Sequence, residues 1–182
     1  MAASQNPTTA PQLPTPSGAP TPDAAHLRAA AGAVPDPEIP VLTLDDLGIV
    51  RALAVAEDGT VEVRLTPTYT GCPATEVIAA DVARALREAG ALDVVVRTVL
   101  APAWTTDWIT EAGRTKLREY GIAPPDGTGP VAPGVVALAL SARCPRCGSL
   151  RTREISRFGS TPCKALWSCR DCGEPFDSFK AL

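Results

Sequence analysis

Leu65-Thr66-Pro67-Thr68-Tyr69-Thr70-Gly71-Cys72-Pro73-Ala74-Thr75 decides the reading of this chain, because a strand runs into it and a helix runs out of it. Upstream, Val61, Val63 and Leu65 alternate with Glu62, Arg64 and Thr66, the period of a strand with one buried face. Downstream, Ile78, Val82, Leu86 and Ala89 make one stripe of a helix that begins at Pro73 and is stopped by Gly90. Gly71 predicts a sharp turn at positive φ, where a side chain would clash. Pro73 suits the first helical position, which loses nothing by lacking an N–H. Cys72 then stands at or beside the helix cap. Unpaired N–H groups and the positive dipole end would lower its pKa there and favour thiolate. A small buried hydrophobe is the simpler reading of the same residue.

Working outward, the spacing predicts a strand over 49–56 that pairs with 61–66 through the hairpin turn Glu57-Asp58-Gly59. Before it lies Val34-Pro35-Asp36-Pro37-Glu38-Ile39-Pro40, whose prolines forbid a regular helix or a central strand. It reads as a stiff turn carrying two carboxylates. A short helix is expected over 24–33, with Asp23 as its cap, and residues 1–23 read as a disordered leader. After the central helix, a β-branched run predicts a strand over 92–100, then a loop, then a helix over 108–120. Residues 124–134 read as a Pro/Gly linker, and Val135–Leu140 as a short strand entering a second module at 135–182. The expected fold is α+β: a small α/β layer domain over 24–123, in the order helix, β-hairpin, helix, strand, helix, followed by the second module.

That second module is defined by Cys144-Pro145-Arg146-Cys147-Gly148 and Cys169-Arg170-Asp171-Cys172-Gly173. Each C-x-x-C turns both sulfurs toward one ion, and the following glycine permits the tight backbone. Two such knuckles supply Cys144, Cys147, Cys169 and Cys172 as four thiolates in a tetrahedron, the donor set of structural Zn²⁺. A rubredoxin-like iron or a pair of redox dithiols are the alternatives. So short a module buries little core, so the metal must hold it together. Between the knuckles, Cys163 has Lys164 beside it, and a neighbouring ammonium favours thiolate; an incidental thiol at a solvent-facing hairpin tip is the simpler reading.

Charge divides the same way. Residues 1–140 hold nine Lys and Arg against sixteen Asp and Glu, and residues 141–182 hold eight against four. An acidic body with a basic end fits two modules, and the basic end would dock on an acidic protein or on nucleic acid. No apolar run reaches the about 20 residues of a membrane helix, and no basic segment followed by an apolar one opens the chain. A cytoplasmic protein is therefore expected, in which cysteines serve metal or thiol chemistry rather than disulfides. His26 is the only histidine, which argues against a Ser-His-Asp or Cys-His hydrolase. No Glu-x-x-His pair for a di-iron site and no glycine-rich phosphate loop is present. The chemistry left is that of thiols, carboxylates and a structural metal.

Asp36-Pro37-Glu38-Ile39-Pro40, Asp46-Leu47-Gly48-Ile49-Val50, and Leu65-Thr66 followed by Gly71-Cys72-Pro73 resemble the small α/β family of iron–sulfur cluster maturation factors. Pro102-Ala103-Trp104-Thr105-Thr106-Asp107-Trp108-Ile109, Gly121-Ile122-Ala123-Pro124-Pro125, the paired knuckles, and Phe158-Gly159-Ser160-Thr161 with Cys163-Lys164-Ala165 narrow the resemblance. They resemble the branch encoded as the D component beside phenylacetyl-CoA 1,2-epoxidase. The resemblance runs from Val34 to Leu182. It implies an accessory protein, not the oxygenase, that helps assemble or repair the epoxidase's metal centres, in particular the iron–sulfur cluster of its reductase component. It maps the family's reactive cysteine onto Cys72 and its acidic motif onto Asp36 and Glu38. It also implies partners among the epoxidase components, especially the reductase, and transient binding of iron or a cluster. No membrane partner is expected, a nucleic-acid partner is disfavoured, and a homodimer is compatible with the chain. A single thiol with one or two carboxylates is too small a ligand set for a stable cluster, which takes about four. A second chain or the client must complete it. The competing readings are a non-catalytic structural subunit of the complex, a nucleic-acid-binding ribbon, and a thiol oxidoreductase that pairs Cys72 with Cys163.

Overall fold

The Asp23 carboxylate accepts the N–H of Ala25 at 3.1 Å and so starts helix α1, Ala24–Gly32. This and all that follows is seen in a computed structural model that describes residues 23–69, 71–125 and 141–180. The strand expected over 135–140, the leader apart from Asp23, and most of the linker lie outside the described residues.

After α1, the proline-rich segment folds back on itself. Pro35 bridges Thr43, and the Asp36 N–H donates to the Leu42 carbonyl at 2.9 Å. Strands β1 (Val50–Val55) and β2 (Val61–Leu65) form the expected antiparallel hairpin. Val61, Val63 and Leu65 turn inward and are buried, as the alternation requires. Helix α2 (Thr75–Glu88) buries Ile78, Val82 and Leu86. It is the crossover that lets β3 (Val94–Thr98) pair parallel to β2, with Val61 opposite Val94 and Leu65 opposite Thr98. The order β1-β2-β3 gives a three-stranded mixed sheet, and α1 packs on both α2 and β1.

The helix expected over 108–120 is divided. A 3-10 turn occupies Thr106–Trp108, and α3 spans Glu111–Glu119 with Thr110 as its cap. Thr110 stops the earlier turn because its hydroxyl accepts the Gly113 N–H at 3.0 Å, the geometry of a fresh N-terminus. Lys116 on α3 reaches back to Asp46 at 2.6 Å, tying the helix to the segment that leads into β1.

The second module is a ribbon of β5 (Thr152–Ser156), β6 (Lys164–Cys169) and β7 (Pro175–Phe179), antiparallel throughout. Its outer neighbour comes from the other end of the body. β4 (Ile122–Ala123), just after α3, pairs parallel to β7, so the second sheet runs β4-β7-β6-β5. Cys163 and Phe179 of the ribbon are buried in the same apolar cluster as Leu47, Ile49 and Ile78 of the body. The ribbon therefore closes over the carboxyl end of β2, where the stretch containing Cys72 lies.

Candidate functional site: a zinc centre and a thiol–carboxylate pocket

The two knuckles converge as expected. Gly148 and Gly173 adopt φ of +75° and +78°, left-handed backbone that a side chain resists. These turns bring the four sulfurs within 4.8 Å of one another, with Cys144 and Cys172 at 3.7 Å and Cys147 and Cys169 at 3.5 Å. Sulfurs bound at about 2.3 Å around a tetrahedral Zn²⁺ stand about 3.8 Å apart. Donor chemistry and spacing thus both fit zinc. The ion would be held by Cys144, Cys147, Cys169 and Cys172, with every position filled by protein. Such a centre supplies structure and leaves no position for a substrate.

The second cluster is built from both modules. Asp36, Glu38, Ile39, Leu47, Ile49, Pro67, Thr68, Cys72 and Ile78 of the body, with Cys163 and Phe179 of the ribbon, line one small cavity. Its free space is about 10 Å³, room for one water or one small ion and far too little for a preformed cluster. Four of the five residues named from sequence, Cys72, Glu38, Asp36 and Cys163, thus share one pocket. Lys164 is the neighbour that points elsewhere: its buried ammonium lies 3.3 Å from Asp177.

The local turn around Cys72 differs from the expected one. Gly71 does not use positive φ. What its missing side chain provides is space for the Tyr69 ring, whose edge would lie 3.2 Å from a Cβ. Pro73 is not the first helical residue either; α2 begins at Thr75. Cys72 instead closes the preceding turn. Its N–H donates to the Tyr69 carbonyl at 3.1 Å, and its own carbonyl accepts the Thr75 hydroxyl at 2.9 Å.

The electrostatics are also reversed. Burial raises the Cys72 pKa above the ordinary thiol value, and the charges of Glu38 and Asp36 raise it further; hydrogen bonds from Ala74 and Thr75 oppose without prevailing. Cys163 is pushed up to about 11, first by burial and then by the same two carboxylates, against a hydrogen bond to Thr161 and the pull of Lys164. Burial and the two carboxylates thus work against the thiolates that the helix end and Lys164 would favour. Nor is Cys163 a solvent-facing tip. It is buried, with its sulfur 3.0 Å from the Thr161 hydroxyl and 3.8 Å from Glu38 Oε2.

The two carboxylates do different work. Asp36 Oδ1 accepts the N–H groups of Glu38 and Ile39, each at 2.8 Å, and so builds the turn. Burial raises its pKa in spite of those bonds. Glu38 points into the pocket toward Cys163. Trp104 is structural: its indole N–H donates to the Leu47 carbonyl at 2.8 Å and its ring meets Phe179. Thr105 caps the 3-10 turn.

Comparison with known proteins gives each module a family model. Residues 130–180 match the family model of the PaaD zinc beta ribbon domain, and residues 25–98 match that of the iron–sulfur cluster assembly protein. The chain is 51% identical over 149 residues, 82% of its length and 87% of the relative's, to an Escherichia coli (strain K12) protein named as a 1,2-phenylacetyl-CoA epoxidase component. The chain belongs to the PaaD family. It is also 35% identical over 83 residues, 45% of its length and 78% of the relative's, to an Fe-S protein maturation auxiliary factor of Porphyromonas gingivalis. A crystal structure of a DUF59 domain from Bacillus anthracis superimposes with a TM-score of 0.48 at 26% identity, covering 52% of this chain and 90% of that one. Both family models fall on the modules that form the pocket's two walls, and the PaaD ribbon is the part that carries Cys163.

No helix among the described residues is long and apolar enough to cross a membrane. What sequence reasoning missed is the meeting of Cys163 with Glu38, residues separated by 125 positions. A cysteine flanked by a buried lysine, and a glutamate in a turn without a local partner, are the only signals of it.

Proposed function

We propose that the protein is a non-catalytic accessory factor that assembles or repairs a metal centre of a phenylacetyl-CoA epoxidase system, in particular the iron–sulfur cluster of the reductase component, working in the cytoplasm. The observation that carries this reading is the pocket at the end of β2, which Cys72, Glu38 and Cys163 line together, with the Cys163 sulfur 3.8 Å from Glu38 Oε2. Its donors are those that iron accepts, and its volume suits a passing ion rather than a resident cluster. The maturation role named for the Porphyromonas relative and the epoxidase role named for the Escherichia relative point the same way. The closed zinc centre holds the ribbon in place over the pocket and takes no part in the chemistry.

The test is Cys72→Ser in cells growing on phenylacetate. Poor growth and a reductase lacking its cluster are expected; normal growth with a fully loaded reductase removes the thiol from the mechanism. The Escherichia relative is named as a part of the epoxidase itself, which favours a second reading, a structural component of that complex. On that reading the protein co-purifies with the oxygenase in fixed proportion and Cys72→Ser is silent.

A further inference from the structure

A second cavity adjoins the thiol–carboxylate pocket and shares Pro67 and Thr68 with it. Thr66 and Tyr69, from the stretch after β2, join Leu100, Ala103 and Trp104, from the loop after β3, in its lining. Its free volume is about 160 Å³, and neither Cys72 nor a charged residue borders it. We propose that this cavity is a binding site for a small uncharged aromatic molecule, one ring bearing one hydrogen-bonding group.

Size, wall chemistry and one unpaired atom carry it. An apolar cavity of about 150 Å³ takes up a single benzene ring, so this one admits one ring with a small substituent and not a fused or extended system. Tyr69 and Trp104 bring aromatic surface to the lining, against which a ring packs edge-to-face or offset. Trp104 is already held by its bond to the Leu47 carbonyl and by Phe179, so that wall needs no ordering when a ligand arrives. Tyr69 and Leu100, 49% and 52% exposed, stand at the mouth.

The unpaired atom is the Thr66 hydroxyl. Thr66 is 1% exposed, and its Oγ1 has no hydrogen-bond partner among the described residues. Its backbone N–H is spent on the Ile49 carbonyl at 2.9 Å. A buried hydroxyl left unpaired is unfavourable, and a ligand group that donates to it or accepts from it removes that cost. A carboxylate or an ammonium is excluded as that group, because the lining holds no opposite charge to offset its desolvation. The ligand is therefore neutral, and the shared Pro67 and Thr68 set its ring against the back of the thiol pocket without contact to Cys72.

The experiment titrates the full-length, zinc-loaded protein at pH 7 with phenol, toluene and benzoate, and follows the Thr66 and Thr68 amides and the Trp104 indole N–H by NMR. Saturable binding of phenol and of toluene is expected, and none of benzoate. Thr66→Val keeps the shape of the wall and removes the unpaired hydroxyl, so it folds. In that variant the ratio of phenol affinity to toluene affinity should fall by about 2- to 10-fold, the worth of one hydrogen bond between neutral groups. Ala103→Phe, at the exposed rim, should block both ligands. The proposal is overturned if phenol binding does not saturate, if benzoate binds as well as phenol, if Thr66→Val leaves the ratio unchanged, or if Ala103→Phe still binds. Tighter binding of N-acetyl-tyrosinamide than of phenol would also overturn it, since the cavity would then belong to a tyrosine presented by a protein partner. None of these results bears on the accessory role, which Cys72→Ser tests separately.

Discussion

Trp104 and Phe179 lie with ring centroids 5.9 Å apart and planes tilted by 44°, one ring from the loop after β3 and the other from the end of the ribbon. Trp104 is fixed from behind by its bond to Leu47, and Phe179 is 2% exposed. The pair is the apolar clamp that seats the ribbon on the body, and Phe179 also lines the thiol–carboxylate pocket. Replacing Phe179 by Ala leaves a cavity that costs about 3–5 kcal/mol at a fully buried aromatic. A lower urea midpoint together with faster iodoacetamide labelling of Cys72 is expected. Destabilisation without faster labelling would show that β4–β7 pairing alone keeps the pocket shut.

Asp36 is a structural carboxylate and Glu38 is not, and substitution separates them. Asp36→Ala orphans two N–H donors, that of Ile39 being buried, at a cost of about 1–3 kcal/mol for an unsatisfied buried group. Asp36→Asn keeps an acceptor oxygen. Because the Asp36 pKa is raised in the folded protein, ionised Asp36 opposes folding at neutral pH, and the neutral amide removes that penalty. Asp36→Asn is therefore at least as stable as the parent near pH 7, and Glu38→Gln changes stability little. Thermal melts of the three variants check this; an Asn variant as weak as the Ala variant would count against the turn role.

The raised thiol pKa values give stability a sign at alkaline pH. Folding favours the protonated thiols, so their contribution is complete below the unfolded thiol value near 9.0 and is lost as pH rises through the folded value, about 11 for Cys163. Denaturant midpoints should fall between about pH 9 and pH 11. Cys163→Ala should flatten that fall without changing the midpoint's behaviour on the acid side. Labelling of Cys72 should be slower at pH 7 than labelling of a free cysteine and should speed up as the pH climbs past 9.0, because its pKa lies above that value. Rapid labelling at pH 7 would restore the activated-thiolate picture that the turn suggests.

Local signals are legible in the sequence, and long-range ones are not. The alternation of Val61, Val63 and Leu65 and the helical stripe of Ile78, Val82 and Leu86 fix strand and helix because each period is set by neighbours a few residues away. The knuckles are legible for the same reason, since both sulfurs of each turn lie within one loop. The turn that carries Cys72 singles it out, yet the same turn favours thiolate, a protonation state that the surroundings of the sulfur oppose. That state depends on burial and on Glu38 and Asp36, which reach the sulfur only through tertiary folding. In sequence Cys163 stands beside Lys164, whereas burial against Glu38 across the molecule dominates. The break at Thr110 is also hidden, because a continuous helical period runs over a residue whose side chain caps a new helix.

Removing the metal should dismantle the ribbon first. Among the described residues, apart from Cys163 and Phe179, its apolar cluster is only Ala123, Ala142, Ala165, Trp167 and Phe176 around two of the cysteines. Structural zinc contributes on the order of 10–16 kcal/mol in small fingers, more than so few side chains can replace. Chelation without denaturant should therefore collapse the amide-exchange protection of Thr152–Ser156, Lys164–Cys169 and Pro175–Phe179. Val61–Leu65 and Thr75–Glu88 should keep theirs, since the body has its own core. Because the ribbon supplies one wall of the pocket, Cys72 and Cys163 should become open to iodoacetamide in the same step. Protection lost together in ribbon and body would mean that the two modules unfold as one cooperative unit. Protection retained in β5, β6 and β7 would mean that docking on Trp104 and Ile122–Ala123, not the ion, holds the ribbon's shape.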